Sequence, residues 1–181
     1  MTQHIGIVAC SAEGAALCYR TLCVEGAAFM GTPHAHPEVS VNTPNFADYV
    51  ACLERDDWAG VGALMLGSAE KLARIGADVL ICPDNTIHQA LPLIERRSPL
   101  PWLHIAEVAA EEAVRRGFRR LAILGTRWLV ASDVYPGKLA ARGIEAVRPS
   151  ATRPTESSWT SSSTGASSHA ASLGSRPSSN A

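Results

Sequence analysis

The amino-acid sequence predicts an α/β fold built of parallel sheets with flanking helices. Short apolar runs of strand length alternate with longer stretches whose apolar residues recur at helical spacing, which is the rhythm of consecutive βαβ units. The changeovers carry the residues that start and stop such elements: Ser11 ahead of one helical stretch, Gly76 after another, and Pro83 behind a strand.

Residues 4–10 form a near-continuous apolar run, expected as the first buried strand, and Ser11 stands where it can cap the helix that follows. Residues 38–42 alternate in the manner of a second strand. Over residues 57–75, Val61, Leu64, Met65, Ala69, Leu72 and Ala73 fall on one helical stripe, and Gly76 fits the left-handed position that ends a helix. A third strand is expected over 77–82, closed by Pro83, with Asn85 or Thr86 capping a helix over 87–97. Residues 101–105 read as a short strand, 106–116 as a helix and 119–124 as another strand, with Gly125, Thr126 and Arg127 as its exit loop. A helix over 129–141 and a strand over 144–147 follow. The expected division is a first α/β domain over 1–100, the start of a second over 101–149, and a separate stretch over 150–181.

In that last stretch twelve of thirty-two residues are serine and no apolar periodicity survives, a composition that cannot build a core, so disorder is expected there. Elsewhere the balance is ordinary for a folded protein: 46 % hydrophobic, 18 % charged, net charge -1. It offers neither a basic face for nucleic acid nor a polybasic stretch for a membrane surface, so neither partner is expected. No run approaches the roughly 18 apolar residues of a membrane span. The N-terminus lacks the charged lead and cleavage pattern of a secretory signal. The five cysteines, Cys10, Cys18, Cys23, Cys52 and Cys82, are odd in number and contain no CxxC pair, which argues against a disulfide framework and a thiolate zinc site. His34, His36, His88 and His104 show no metal-ligand spacing, and the glycine-rich nucleotide signatures are absent. A cytoplasmic protein with reduced thiols and no metal is the expectation.

Several stretches point further when taken in order. They are His36-Pro37-Glu38-Val39-Ser40-Val41-Asn42, then Gly76-Ala77-Asp78 leading to Asp84-Asn85-Thr86-Ile87-His88, then Leu124-Gly125-Thr126-Arg127 with Ser132-Asp133-Val134-Tyr135 behind it. With the first strand they give a collinear resemblance to the aspartate/glutamate racemase family of cofactor-independent amino-acid racemases, as far as about Pro149. The turn after the first strand, Ala9-Cys10-Ser11-Ala12-Glu13-Gly14, departs from the glycine-rich turn usual in that family. The resemblance implies two pseudo-symmetric α/β domains, each presenting one acid/base residue, usually cysteine, from a strand end into a shared cleft. The first of those positions falls on Asp84. No cysteine follows Cys82, so the second domain is expected to be incomplete.

Such chemistry takes an α-proton from one face of the substrate and returns one to the other, and therefore needs two opposed groups. Asp84 is the candidate for the first. An unperturbed carboxyl has a pKa of about 3.9 against about 8.5 for a thiol, so it is the weaker base unless burial raises it. Cys82, two residues earlier on the same face of the strand, is the alternative, with a small buried hydrophobe as its plainer role. Cys10, at the end of the first strand, is placed for a core role or a loose rim contact. Asn85 and Thr86, at a helix N-terminus, suit a substrate carboxylate, and capping is their plainer role. Asn42 and Thr43 end the second strand, and Gly125, Thr126 and Arg127 end a strand of the second half; all five are further binding candidates. Arg127 can pair with a side-chain carboxylate or simply be solvated.

The implied function is racemisation of an amino acid of the aspartate/glutamate type, without cofactor, on a small amino-acid or dicarboxylate substrate, with a homodimer as an admitted assembly. Alternatives are a related isomerase or decarboxylase on the same fold, of the maleate isomerase, hydantoin racemase or arylmalonate decarboxylase type, and a non-catalytic remnant. The serine-rich stretch has its own reading. Residues 156–165 can be back-translated so that a neighbouring frame spells Val-Leu-Val-Asp-Glu-Leu-Val-His, an amphipathic pattern. A one-base frameshift near residue 150 is therefore expected, and resequencing the gene tests it.

Overall fold

Two parallel sheets organise residues 3–149, which are the residues the computed structural model describes. The first has four strands in the order β2-β1-β3-β4: β1 (Ile5–Val8), β2 (Val39–Asn42), β3 (Val79–Ile81) and β4 (Trp102–Leu103). The second pairs β5 (Arg120–Ala122) with β6 (Glu145–Val147). Every pairing is parallel. Parallel neighbours need a crossover, and helices supply it. These are α1 (Ala12–Met30) between β1 and β2, α2 (Phe46–Glu54) and α3 (Trp58–Arg74) between β2 and β3, and α5 (Ile105–Arg115) between β4 and β5, with a short α4 (Leu91–Ile94) between β3 and β4.

Both faces of the first sheet are covered, which is why its strands read as apolar runs. Val8 and Leu80 point to the α2 and α3 side, where Tyr49, Val61, Met65 and Leu72 complete the main core. Ile7 and Ala9 point the other way, onto Ala15, Cys18 and Leu22 of α1. Gly6 sits where α3 comes closest: a Cβ there would lie 2.9 Å from Leu80 Cδ2, 3.1 Å from Ala77 Cβ and 3.3 Å from Leu72 Cβ. Gly6→Val is therefore expected to cost about 1–3 kcal/mol through overpacking, read as a lowered denaturation midpoint.

Ser11 and Gly76 act as expected at helix ends, and Asp57 adds a cap that was not assigned from the sequence. Ser11 Oγ accepts from Gly14 N–H at 3.3 Å to start α1. Asp57 Oδ1 accepts from Gly60 N–H at 2.7 Å to start α3, and Gly76 takes a φ of 89° just past its end. Elsewhere the structure corrects the sequence. The helix expected over 87–97 is a 3-10 turn (Thr86–Ala90), the four-residue α4 and a second 3-10 turn (Glu95–Arg97). Pro92 has no N–H to continue one regular ladder there. The helix expected over 129–141 is broken into α6 (Arg127–Ala131) and α7 (Pro136–Ala140). Ser132 interrupts it, its Oγ donating to Leu129 O and accepting from Val134 N–H, and Pro136 opens the next helix. The boundary expected at residue 100 falls ahead of β4, yet β4 belongs to the first sheet, with Leu80 opposite Trp102. The serine-rich stretch over 150–181, and with it the frameshift reading, lies outside the described residues.

Among the described residues no helix is long and apolar enough to cross a membrane. Within the same residues, no group of three or more His, Cys, Asp or Glu side chains could hold a metal ion.

Candidate active site

The candidate residues lie where parallel strands of an α/β sheet end, the usual location of ligand sites in such folds. β3 is an inner strand, and Pro83 stops it, so the chain turns at Asp84 and enters a 3-10 turn at Thr86. The Asp84 carboxylate closes that turn: its Oδ1 accepts from Thr86 N–H at 2.9 Å and from Ile87 N–H at 3.3 Å. The capping role expected of Asn85 or Thr86 thus belongs to Asp84, because a side chain one residue earlier reaches the free N–H groups. Asp84 remains half-buried while Thr86 is buried.

The peptide of Asp84 is held as firmly as its side chain. Ile105 N–H donates to His88 Nε2 at 3.4 Å, so the ring hydrogen sits on Nδ1, which donates to Asp84 O at 2.7 Å. His88 is 1 % exposed, and burial lowers its pKa to about 4, with the neighbouring His104 ring, 4.9 Å away, acting in the same direction. Cys82 Sγ also faces Asp84 O, at 3.9 Å.

Continuing the β1–β3 register, in which Ile7 faces Ile81, brings Cys10 opposite Asp84. Both Cys10 and Cys82 are 2 % exposed and belong to the main core. Burial first, and then the charge of Asp84, pushes both thiols up, so each holds its proton. Tyr49 joins this cluster from α2; burial, then Cys82, Cys10 and Asp84, pushes its hydroxyl up. Tyr49 Oη and Asn42 Oδ1 are buried with no hydrogen-bond partner among the described residues. A buried polar atom left so costs about 1–3 kcal/mol, which marks this end of the sheet as incompletely satisfied. Thr43, next to Asn42, is exposed.

The second half meets this turn through side chains. Thr86 Oγ1 and Thr126 Oγ1 share a hydrogen bond of 2.8 Å, although forty residues separate them. Thr126 Oγ1 also accepts from Leu129 N–H at 3.2 Å, capping α6. Gln89 Nε2 donates to Thr86 O and to Trp128 O, both at 3.3 Å, and Tyr135 Oη donates to Asn85 Oδ1 at 2.5 Å. Gly125 takes a φ of 153°, a conformation open mainly to glycine, to turn the chain into that contact. Arg127 is exposed, and its guanidinium stacks 4.5 Å over the ring of Trp128.

The structure therefore brings Asp84, Asn85, Thr86 and Thr126 together with Cys82, and puts Asn42 at the same end of the first sheet. Arg127 is committed to Trp128. Tyr49, His88, Gln89 and Tyr135 have structural roles at the site that the sequence reading did not assign. Only His88 and Tyr135 carried any signal, by lying inside quoted motifs.

The family model of Asp/Glu/hydantoin racemases matches residues 7–173. The chain belongs to this family. The match continues past residue 149 into the serine-rich stretch. A broad-specificity amino-acid racemase, RacX, of Bacillus subtilis (strain 168) is 28 % identical over 108 residues, covering 60 % of this chain and 45 % of that protein. A crystal structure from Yersinia pestis, of a protein assigned to the Asp/Glu racemases, aligns with a TM-score of 0.74 at 26 % identity, over 82 % of this chain and 65 % of that one. An aspartate racemase homologue from Pyrococcus horikoshii OT3 aligns with a TM-score of 0.70 at 26 % identity, over 83 % and 66 %. The chain thus spans under half of the curated relative and just under two thirds of each structure. The family fold of parallel sheets with flanking helices is present here as a four-stranded sheet and the first two strands of a second.

Proposed function

We propose that the chain supplies the first-domain half of a cofactor-independent α-proton transfer on an amino acid of the aspartate/glutamate type, with Asp84 as its acid/base group. The observation that carries this reading is the placement of Asp84: a half-buried carboxylate just beyond an inner parallel strand, anchored through its side chain and its carbonyl. Anchoring matters because proton transfer needs the base held within hydrogen-bond reach of the reacting carbon. The neighbouring thiols support the assignment from the other side, since Cys10 and Cys82 hold their protons too strongly to serve as the base. Asn85, Thr86 and Thr126 are the groups around it for a substrate carboxylate, with Asn42 and Thr43 beyond them. Gly125 shapes the turn. Arg127 could reach a second carboxylate only by leaving Trp128.

A single base can wash out the α-proton with retention, whereas racemisation also needs a group on the opposite face. The test is loss of the α-proton NMR signal in D2O across acidic and neutral amino acids, paired with optical rotation. Exchange without racemisation is the expected outcome for the described half alone. Absence of both, on every amino acid tried, would sink the reading. A second reading, binding of a small acid without turnover, is favoured by one fact: Asp84 Oδ1 already serves Thr86 and Ile87 N–H. Saturable binding with no exchange would identify it.

A further inference from the structure

We infer that Ser40, His4 and Glu38 form a reactive site of their own, at the end of the first sheet opposite Asp84, in which Ser40 Oγ takes up the acyl group of a small activated carboxylic ester. Ile5 faces Val39 in the β1–β2 register, so one residue back sets His4 opposite Glu38, with Ser40 two residues further along on the same face. The ring of His4 leans along the strands. Its Nε2 lies 2.9 Å from Ser40 Oγ, the separation of a nucleophile and its base, and its Nδ1 lies 3.8 Å from Glu38 Oε1. Gly6, directly opposite Ser40, has no side chain to come between them. The backbone of His4 is fixed from Asp78, just ahead of β3: His4 N–H donates to Asp78 Oδ2 at 2.7 Å, and His4 O accepts from Asp78 N–H at 2.8 Å. A buried imidazole is thus held on a strand start beside a half-buried hydroxyl.

The parts of an acyl-transfer site each have a counterpart here. A serine hydroxyl is a weak nucleophile until a neighbouring base takes its proton. With the ring hydrogen on Nδ1, facing the Glu38 carboxylate, Nε2 is left as the acceptor for Ser40 Oγ–H. The Glu38 side chain is 75 % exposed and stands beyond hydrogen-bond distance, so Glu38 is a positioning residue whose charge favours that tautomer modestly. The oxyanion that develops on the ester needs an N–H donor, and the edge strand supplies one. Ile5 N–H donates to Glu38 O and Ala9 N–H to Asn42 O, so the even-numbered residues of β2 bond to β1, and Val41 turns its N–H to the open edge of the sheet. Among the described residues no hydrogen bond uses that N–H, which directly follows the nucleophile. Val41 is 42 % exposed, so a small reagent can reach this edge. In the step itself Ser40 Oγ attacks the carbonyl carbon while its proton passes to His4 Nε2. The bond to the leaving oxygen then breaks, that oxygen takes the proton from Nε2, and an acyl ester remains on Ser40. One backbone donor and an open edge suit an ester with a good leaving group.

The test treats the full chain with p-nitrophenyl acetate and, separately, with an alkyl fluorophosphonate, whose phosphorus an activated serine attacks with loss of fluoride. The modified residue is mapped by peptide mass spectrometry. The wild type is expected to release p-nitrophenol in a burst and to carry the acetyl or phosphonyl group on Ser40. Ser40→Ala should lose both modifications. His4→Gln, which keeps a polar partner for the serine but cannot take its proton, should slow both by about a hundredfold, the usual worth of a positioned base. Glu38→Gln should slow them a few-fold, and Glu38→Asp should restore most of the rate, at an unchanged thermal midpoint. Mapping on the wild type needs no variant, so it decides the matter even where His4→Gln does not fold. The inference falls if the wild type takes up neither reagent, if the groups are found on a cysteine, a histidine or another serine instead of Ser40, or if His4→Gln reacts at the wild-type rate.

Discussion

Asp84→Asn is expected to cut α-proton exchange by about a hundredfold or more, the usual worth of a positioned acid/base group. The substitution is chosen because it isolates the chemistry. An asparagine Oδ1 can still accept from Thr86 N–H and Ile87 N–H, so the turn that begins there keeps its cap and the fold is expected to stay within about 1 kcal/mol of the wild type. What disappears is the carboxylate's capacity to take a proton. The charge that helps to hold the Cys10 and Cys82 thiols protonated disappears with it, but burial is the larger cause in both, and both remain thiols. Asp84→Ala serves as the contrast, removing cap and base together, with an added loss of about 1 kcal/mol in stability. Denaturation curves and exchange rates on the three proteins separate the capping role of this side chain from the acid/base role proposed for it. Full exchange in Asp84→Asn would transfer the role elsewhere, and Cys82→Ala would then be the next protein to make.

The fold was legible wherever one local signal decided one element. Residues 4–10 are apolar on both faces because helices lie on both faces of β1, and such a run announces a buried parallel strand. Ser11 is a cap whose side chain reaches the third N–H along, a rule that acts within a few residues. What was not legible depends on competition between signals. The segments 87–97 and 129–141 have helical spacing, but Pro92 and Pro136, with the Ser132 side chain bonding its own neighbours, cut each into short pieces. α2 went unrecognised because it is nine residues long and follows a proline-containing loop, so no periodicity had room to show.

The candidate site was legible to a lesser degree, for a physical reason. Asp84, Asn85 and Thr86 are consecutive, so the run of residues after a strand is enough to find them. Their partners are not: Thr126 and Tyr135 come from forty and fifty residues away, and His88 acts by joining the carbonyl of Asp84 to the N–H of Ile105. A hydrogen bond between distant residues leaves no periodicity in the sequence. Cys82 shows the converse. Its position relative to Asp84 makes it a fair candidate on paper, and burial within the core raises its proton affinity and removes its advantage as a base.

His88 makes the turn's stability depend on pH, with a sign that can be worked out. In the unfolded chain its pKa is 6.5, and in the folded protein it is lowered to about 4, because the buried ring would have to carry a charge in a dry site. Below 6.5 the unfolded chain binds a proton that the folded one refuses, so folding becomes less favourable as pH falls from 6.5 towards 4. Above 6.5 both states are neutral and His88 adds no slope; below about 4 both are charged and the slope ends. The full loss across that window is at most about 3 kcal/mol. Of the ring's contacts, the bond to the Asp84 carbonyl opposes this direction, while the His104 ring acts with burial, and the Ile105 N–H would lose its acceptor on protonation. Replacing His88 by Asn keeps a donor for Asp84 O and removes the titrating group. Denaturant midpoints at pH 7, 5.5 and 4.5 should fall steeply in the wild type and visibly less in His88→Asn. A variant with the wild-type slope would show that another group governs acid sensitivity. His88→Ala, which leaves the Asp84 carbonyl and the Ile105 N–H without a partner beside a cavity, should cost about 2–4 kcal/mol at neutral pH and loosen the turn that holds Asp84.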